Sequence, residues 1–449
     1  MASAAEQLAA NLNFGAFAKA TELKKRIWFT LGALIVYRLC SYIPLPGIDT
    51  EAMRAIFQEA QGGVLGMFNV FSGGALQRMS IIALNIMPYI SASIIVQLLT
   101  SMAPTFAQLK KEGESGRKKL NQYTRYGTVL LTAVQAYALA RGLEGWGGSG
   151  GVSAVIEPGL FFRASTVITL VGGTMFLMWL GEQITSRGVG NGISLIIFAG
   201  IVAELPRAMA GTLELGRTGA LSGTLILGLI VLMVAVIVGI VYFERAQRKV
   251  LIQYPKRQVG NKMFQGDTSH MPLKLNTAGV IPPIFASSLL LMPATMAGFA
   301  SQGGGPEWLN TVNAFLGHGQ PLYMALYASL IIFFCFFYTA VVFNPEETAD
   351  NLKRYGGFIP GIRPGVRTAE YLDFVLTRLT LVGSLYLVVI CLIPEFLTSR
   401  FAVPFYFGGT SLLIVVNVTM DTVGQIHGHL MAHQYEGLIK KSKLRGSRR

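Results

Sequence analysis

The sequence predicts an all-α polytopic membrane protein, and three observations carry that reading. Of 449 residues, 52% are hydrophobic and 13% charged, which is too apolar for a soluble chain and long enough for many spans. Ten apolar runs follow one another, each bounded by charges, Gly or Pro. The Lys and Arg between them fall mostly on one side.

Residues 1–26 read as an amphipathic helix on the cytoplasmic surface, with Phe14, Phe17 and Leu23 ahead of Lys24, Lys25 and Arg26. Residues 1–20 are polar and Ala-rich, without a compact apolar region and cleavage site, so the first span is expected to be the insertion signal. The expected spans are 27–43, 81–102, 123–140, 164–180 and 190–203, the last being short, and then 221–243, 278–299, 322–343, 375–393 and 403–419. A basic tail, 424–449, follows.

The stretch 64–100 organises the first half. Residues 64–71 are apolar but make only about two helical turns, whereas a spanning helix needs ~20 residues. Gly73 and Gly74 then break the helix, and Ser80 is placed to cap the full-length run that follows. Irregular backbone at membrane depth is tolerated only where protein buries it or water reaches it. A half-helix, a hinge and a span therefore imply a cavity inside a helical bundle.

Charge sets the orientation. With both termini inside, the outer loops hold only Arg54, Arg78, Arg141, Arg163, Arg207, Arg217 and Arg400 of the 37 Lys and Arg. Arg38, Arg125 and Arg378 lie in or at the edges of spans, and every other basic residue falls inside. The net charge of +14 therefore sits on one face, where topology and anionic lipid are the bland explanation. The outer loops 141–162 and 300–320 are Gly-rich and poor in charge. The inner segments 108–122, 244–275 and 344–373 are long and charged, and 251–258 has the residues of a short hairpin. Five spans is an odd number, so two halves of like fold, 27–215 and 221–423, must lie in opposite orientations. Ten unrelated helices is the alternative.

The chemistry on view is sparse. None of the 23 Asp and Glu falls near the middle of an expected span, and Glu182, Glu244 and Asp421 sit at span ends. That argues against an ion-coupled solute carrier, the natural rival for ten spans and a broken helix. No GxxxxGK[ST] or HExxH occurs, so any energy comes from a partner and no enzymatic activity is expected. Cys40, Cys335 and Cys391 lie in apolar runs without CxxC spacing, which reads as buried thiols rather than disulfides or zinc. His427, His429 and His433 form HGHLMAH without an acidic or Cys companion, so a solvated tail is favoured over a metal site, and no cofactor is expected. Arg38 is close enough to its span's end to snorkel. Ile86 and Ile90, four apart beside Pro88 and Tyr89, share a helix face; at that spacing, packing or lipid contact is the ordinary meaning.

Several long tracts resemble one family. FNVFSGGALQRMSIIALNIMPYISASIIVQLL, KKEGESGRKKLNQYTRYGT, RGVGNGISLIIFAGIV, NTAGVIPPIFASS, FNPEETADNLK, GFIPGIRPG and VPFYFGGTSLLIVV are similar to segments of the SecY/Sec61-alpha family of protein-conducting channels. The likeness runs nearly the whole length. It implies two inverted five-helix halves forming an hourglass pore in the bacterial plasma (inner) membrane, open sideways between spans 2 and 3 and spans 7 and 8. The stretch at 64–74, with Met67, Phe68, Asn69, Phe71, Gly73 and Gly74, matches the plug. The pore ring matches Ile86, Ile90, Ile197, Ile284 and Ile414; such a ring suits a gate, because a narrow apolar constriction dewets and blocks ions. Lateral-gate positions match Ser91, Gln97, Asn276 and Met292, with Gln97 and Asn276 expected to hydrogen-bond when the gate is closed.

The same likeness implies a passive channel for unfolded secretory chains and signal sequences that releases apolar segments into lipid. Its partners would be SecE, SecG, the SecA ATPase and the ribosome, with no DNA. Lys256, Arg257, Lys262 and Arg363 match motor or ribosome contact positions. Asn261 and Lys262 depart from the pair of Arg common there, and Lys lacks the guanidinium fork.

Overall fold

A computed structural model describes residues 21–59, 69–145, 153–219, 222–255, 257–259, 262–264, 268–290, 320–401 and 409–446. Helix α1 (Thr21–Cys40) is followed by the short α2 (Thr50–Glu59), whose first amides, Glu51 N and Ala52 N, donate to the Asp49 carboxylate. After an irregular stretch come α3 (Met87–Met102) and α4 (Pro104–Lys111), bent by 97° at Ala103, then α5 (Glu114–Gly145), α6 (Leu160–Arg187), α7 (Gly192–Arg217) and α8 (Gly223–Arg245). Asn191 and Ser222 cap α7 and α8 through their side-chain oxygens.

The segment after α8 is a β-ribbon. Strand β1 (Gln247–Gln253) pairs antiparallel with β4 (Thr268–Lys274), and β2 (Arg257–Val259) pairs with β3 (Lys262–Phe264) toward the tip. The hairpin expected near 251–258 is thus present and longer. Next come α9 (Ile281–Leu290), α10 (Pro321–Val342), α11 (Pro345–Arg354, capped by Asn344), α12 (Val366–Phe401) and α13 (Gly409–Gly446). The expected loops 108–122 and 344–373 are therefore largely helical.

Among the described residues, five helices are long and apolar enough to cross a membrane, six if the bent α3–α4 pair counts as one. One continuous apolar core draws on both halves: Tyr37 of α1, Ile90 of α3, Leu177 of α6, Ile201 of α7, Phe334 of α10, Leu387 of α12 and Leu413 of α13 all belong to it. A second cluster, with Val250, Leu273, Ile359, Leu372 and Leu376, fixes the ribbon to the start of α12.

Three expectations at the span ends are corrected. Ser80 caps no helix: it bridges to Pro44, flanked by Leu45 N–H to Met79 O (2.8 Å) and Ile81 N–H to Ile43 O (2.9 Å), so residues 72–86 form turns held to the end of α1. The helix waits for Pro88, which suits a first turn that needs no amide. The fifth span does not stop at Ala203; α7 runs through Pro206 to Arg217 and so takes the buried Glu204 inside a spanning helix. Likewise α12 runs through Pro394, enclosing buried Glu395. Proline interrupts helices in water but is tolerated among packed helices in a membrane.

Candidate functional site

The five matched isoleucines come from four elements and meet. Ile86 and Ile90 flank the start of α3, with Ile90 N–H bonded to Ile86 O at 3.1 Å; Ile197 is on α7, Ile284 on α9 and Ile414 on α13. Together with Phe71, Asn85, Met87 and Ser287 they line one cavity of about 10 Å³. That is about the least space that can hold a single water, and its lining is almost wholly apolar. Sequence spacing alone favoured ordinary packing for Ile86 and Ile90; the convergence of α7, α9 and α13 on them is what that spacing could not carry.

Phe71 closes one side of the ring. It ends a helical turn whose described part begins at Asn69; Met67 and Phe68 lie outside the described residues. Its carbonyl accepts from Asn85 Nδ2 at 2.7 Å, which ties it to the turn entering α3. Asn69 accepts Gln77 N–H on its side chain (2.9 Å) and Gly74 N–H on its carbonyl (2.9 Å). Gly73 and Gly74 have φ of 65° and 78°, and Asn85 has 49°, the left-handed region in which Gly and Asn are the least costly residues. A β-carbon on Gly73 would lie 2.9 Å from Gly200 Cα, so the hinge rests backbone to backbone on α7.

Arg38 does not simply snorkel. Its Nη1 donates to Gly73 O at 2.6 Å and its Nη2 to the Tyr42 hydroxyl at 3.3 Å. Arg78 Nη2 donates to the same Gly73 carbonyl at 2.8 Å, and its Nε to Ser41 O at 3.2 Å. Both guanidinium groups lie over the Tyr42 ring, 5.1 and 4.3 Å from its centre. No local pattern announces a carbonyl thirty-five residues away, so this contact escapes sequence reasoning.

The lateral positions are less joined than expected. Asn276 Nδ2 donates to Glu244 Oε1 (2.7 Å) and to Gly279 O (3.0 Å), not to Gln97, whose Oε1 is buried without a partner among the described residues. Ser91 is buried on α3, and Met292 lies outside the described residues. A link unforeseen from sequence runs from Ser288 Oγ to Met87 Sδ at 3.5 Å, joining α9 to α3. On another face, Arg125 Nη2 reaches both Glu182 oxygens (2.8 and 2.7 Å) beside a cavity of about 360 Å³ lined also by Tyr89, Asn121 and Asn191.

Of the contact positions, Arg257 and Lys262 fall on the paired strands β2 and β3, while Lys256 and Asn261 are outside the described residues. Arg363 is exposed in the turn before α12, with its carbonyl held by Thr368 Oγ1 at 3.0 Å.

Known proteins share this sequence and this fold. The SecY family model matches residues 80–423. The protein translocase subunit SecY of Escherichia coli (strain K12) is 57% identical over 425 residues, covering 95% of this chain and 96% of that protein. Its Vibrio cholerae counterpart is 56% identical over 429 residues, covering 95% and 96%. Among solved structures, a protein-conducting channel superposes with a TM-score of 0.61 at 17% identity, covering 91% of this chain and 92% of that one. Sec61 from the canine ribosome-channel complex gives 0.60 at 17% identity, again over 91% and 92%. The fold is that of these channels, and the chain belongs to the SecY family.

Proposed function

We propose that this chain is the pore-forming subunit of a protein translocase, a passive channel that moves unfolded secretory polypeptides across the plasma membrane and releases apolar segments sideways into lipid. One observation carries the reading: isoleucines from α3, α7, α9 and α13 close with Phe71 around a space of about 10 Å³. An apolar constriction this small is dry and blocks ions, yet its branched side chains can part around an extended polypeptide without demanding any particular sequence.

The finer reading is ten spans in two inverted halves, 27–215 and 221–423, around an hourglass. Both termini are cytoplasmic, and so are the β-ribbon and the turn before α12. Asn69, Phe71, Gly73 and Gly74 then belong to the plug on the outer side. Ser91, Gln97, Asn276 and Met292 flank the lateral exit. Lys256, Arg257, Lys262 and Arg363 face the motor ATPase SecA or the ribosome, and SecE and SecG complete the channel within a membrane containing anionic lipid. Sec61 in a canine ribosome-channel complex and a yeast Ssh1 complex bound to the 80S ribosome share this fold and support the ribosomal part of this reading. The chain itself catalyses no reaction in this scheme.

Reconstitution in liposomes with the companion subunits and motor tests it. Import of an unfolded preprotein without accumulation of small solutes is expected; solute uptake without preprotein import would replace the channel with a carrier.

A further inference from the structure

One face of α7 runs from the ring to the hinge. Ile197 lines the central cavity; Gly200, three residues on, meets Gly73; Glu204, one turn later, is buried against Gly74; Arg207 Nη1 donates to Gln77 Oε1 at 2.9 Å. A β-carbon at Gly74 would overlap Glu204 Oε1 and come within 2.8 Å of Arg78 Nη2. Arg38 and Arg78 both donate to the Gly73 carbonyl, and Arg38 Nη1 lies with Gly200 beside the place a Gly73 β-carbon would take. Two guanidinium groups and a carboxylate therefore pack against the hinge. Arg207 lies 3.8 Å from that carboxylate, on its exposed side.

We propose that Arg38, Arg78 and Glu204 are positioning residues that latch the plug's hinge, so that Phe71 leaves the isoleucine ring only when the two guanidinium bonds to the Gly73 carbonyl break. The inference rests on the channel reading above. The bonds are charge-assisted, and hydrogen bonds to charged groups are stronger than neutral ones. A backbone carbonyl as acceptor makes the latch independent of the plug's side chains. Glu204 places a carboxylate at Gly74 on the same stretch of hinge, near Arg78 Nη2. The conservative Arg38→Lys keeps the charge but loses the fork that serves Gly73 and Tyr42 together.

The test uses the assembled translocase in planar bilayers and in liposomes, in a background carrying the reporter Ser72→Cys. Ser72 is fully buried beneath the hinge. Resting ion conductance and modification of that thiol by a membrane-impermeant maleimide are read together, over the same channel without the reporter. Arg38→Gln and Arg78→Gln are each expected to raise both readings about tenfold, as loss of one charge-assisted bond implies, and Glu204→Gln, which removes only the nearby negative charge, to raise them less, while preprotein import continues. Arg38→Lys is expected to fall between Arg38→Gln and the parent, which a role in folding alone would not produce. If a variant fails to assemble, Gly74→Ala disturbs the same contact from the plug's side and is expected to leak. Unchanged conductance and labelling in variants that still import preprotein would overturn the latch and leave the channel reading standing. Absence of import by the parent would instead overturn the channel reading.

Discussion

Gln253 and Phe358 exchange both backbone hydrogen bonds, each 2.9 Å long, although one ends β1 and the other lies in the turn before α12. Val250 and Leu273 of the ribbon pack with Ile359 and Leu372 beneath them. The turn that presents Arg363 is thus clamped to the ribbon. Gly361 and Gly365, with φ of 83° and 105°, fold that turn tightly around Arg363, and Pro360 and Pro364 restrict it further.

A guanidinium held in one direction suits a bidentate grip on a carboxylate or phosphate of a docking partner. Arg363→Glu is expected to lower motor-driven preprotein import at least about tenfold, the worth of a lost charge-assisted bond, while assembly and ion sealing stay normal. Arg367→Glu, in the first turn of α12, should do much less. Import rates for the two variants side by side check this, and equal slowing would show that only the general positive charge matters.

The ring should seal by being dry. Replacing Ile90, Ile284 and Ile414 together by Ser puts three hydroxyls around the central cavity and lets water enter it. The resting conductance in planar bilayers should rise. If it does not, closure belongs to the plug alone.

The Asn85–Phe71 tether can be separated from the backbone geometry that surrounds it. Asn85→Gly keeps the left-handed φ of 49° accessible but removes the 2.7 Å bond to the Phe71 carbonyl. Asn85→Leu removes the bond and adds a backbone penalty of about 1–2 kcal/mol. Both should increase ion leak, and only the Leu variant should also lower the melting temperature markedly. Equal melting temperatures would show that the turn tolerates the strain.

Glu144, beyond the end of the third apolar run, accepts Arg163 Nε on both oxygens at 2.9 Å and Gly159 N–H at 3.1 Å. The hydrogen-bonded Arg163 guanidinium holds the Glu144 carboxyl below its ordinary range. A carboxylate whose pKa is lower folded than unfolded contributes stability that is present above the unfolded value and lost as pH falls through the folded one. Melting temperature should therefore drop on acidification below about pH 4.3, the unperturbed Glu value, and Glu144→Gln should lower it at neutral pH and flatten that acid limb. An unaltered acid limb in Glu144→Gln would assign it to other carboxylates.

Much of the fold was legible because membrane spans are announced by local composition. α8 and α10 fall within a few residues of the apolar runs that predict them. The errors share a cause. Ser80 looks like a cap because its partner, Pro44, lies far back in the chain, and the fifth run seems to end at Ala203 because Glu204 and Pro206 are costly anywhere but against the hinge and neighbouring helices. Arg38 looks idle until Gly73 is brought to it. At the site, family likeness supplied the isoleucines, whereas the bonds from Arg38 to Gly73 and from Asn85 to Phe71 join residues thirty-five and fourteen apart, which no period or spacing encodes.

On the channel reading proposed above, a constriction as small as the isoleucine ring concentrates voltage. Ile86 and Ile90 stand four residues apart, ~6 Å along a helix, against ~30 Å of surrounding hydrocarbon. Where water fills the chain's path on both sides, almost all of the membrane potential falls across that ~6 Å, a field about five times that in the lipid. A charged residue in transit would then do its entire electrical work, ~2.3 kcal/mol per charge at 100 mV, within a single side-chain step. With the cell interior negative, acidic residues are drawn outward through that step and basic residues are held back. On that reading the potential pulls on the cargo where it passes the isoleucines.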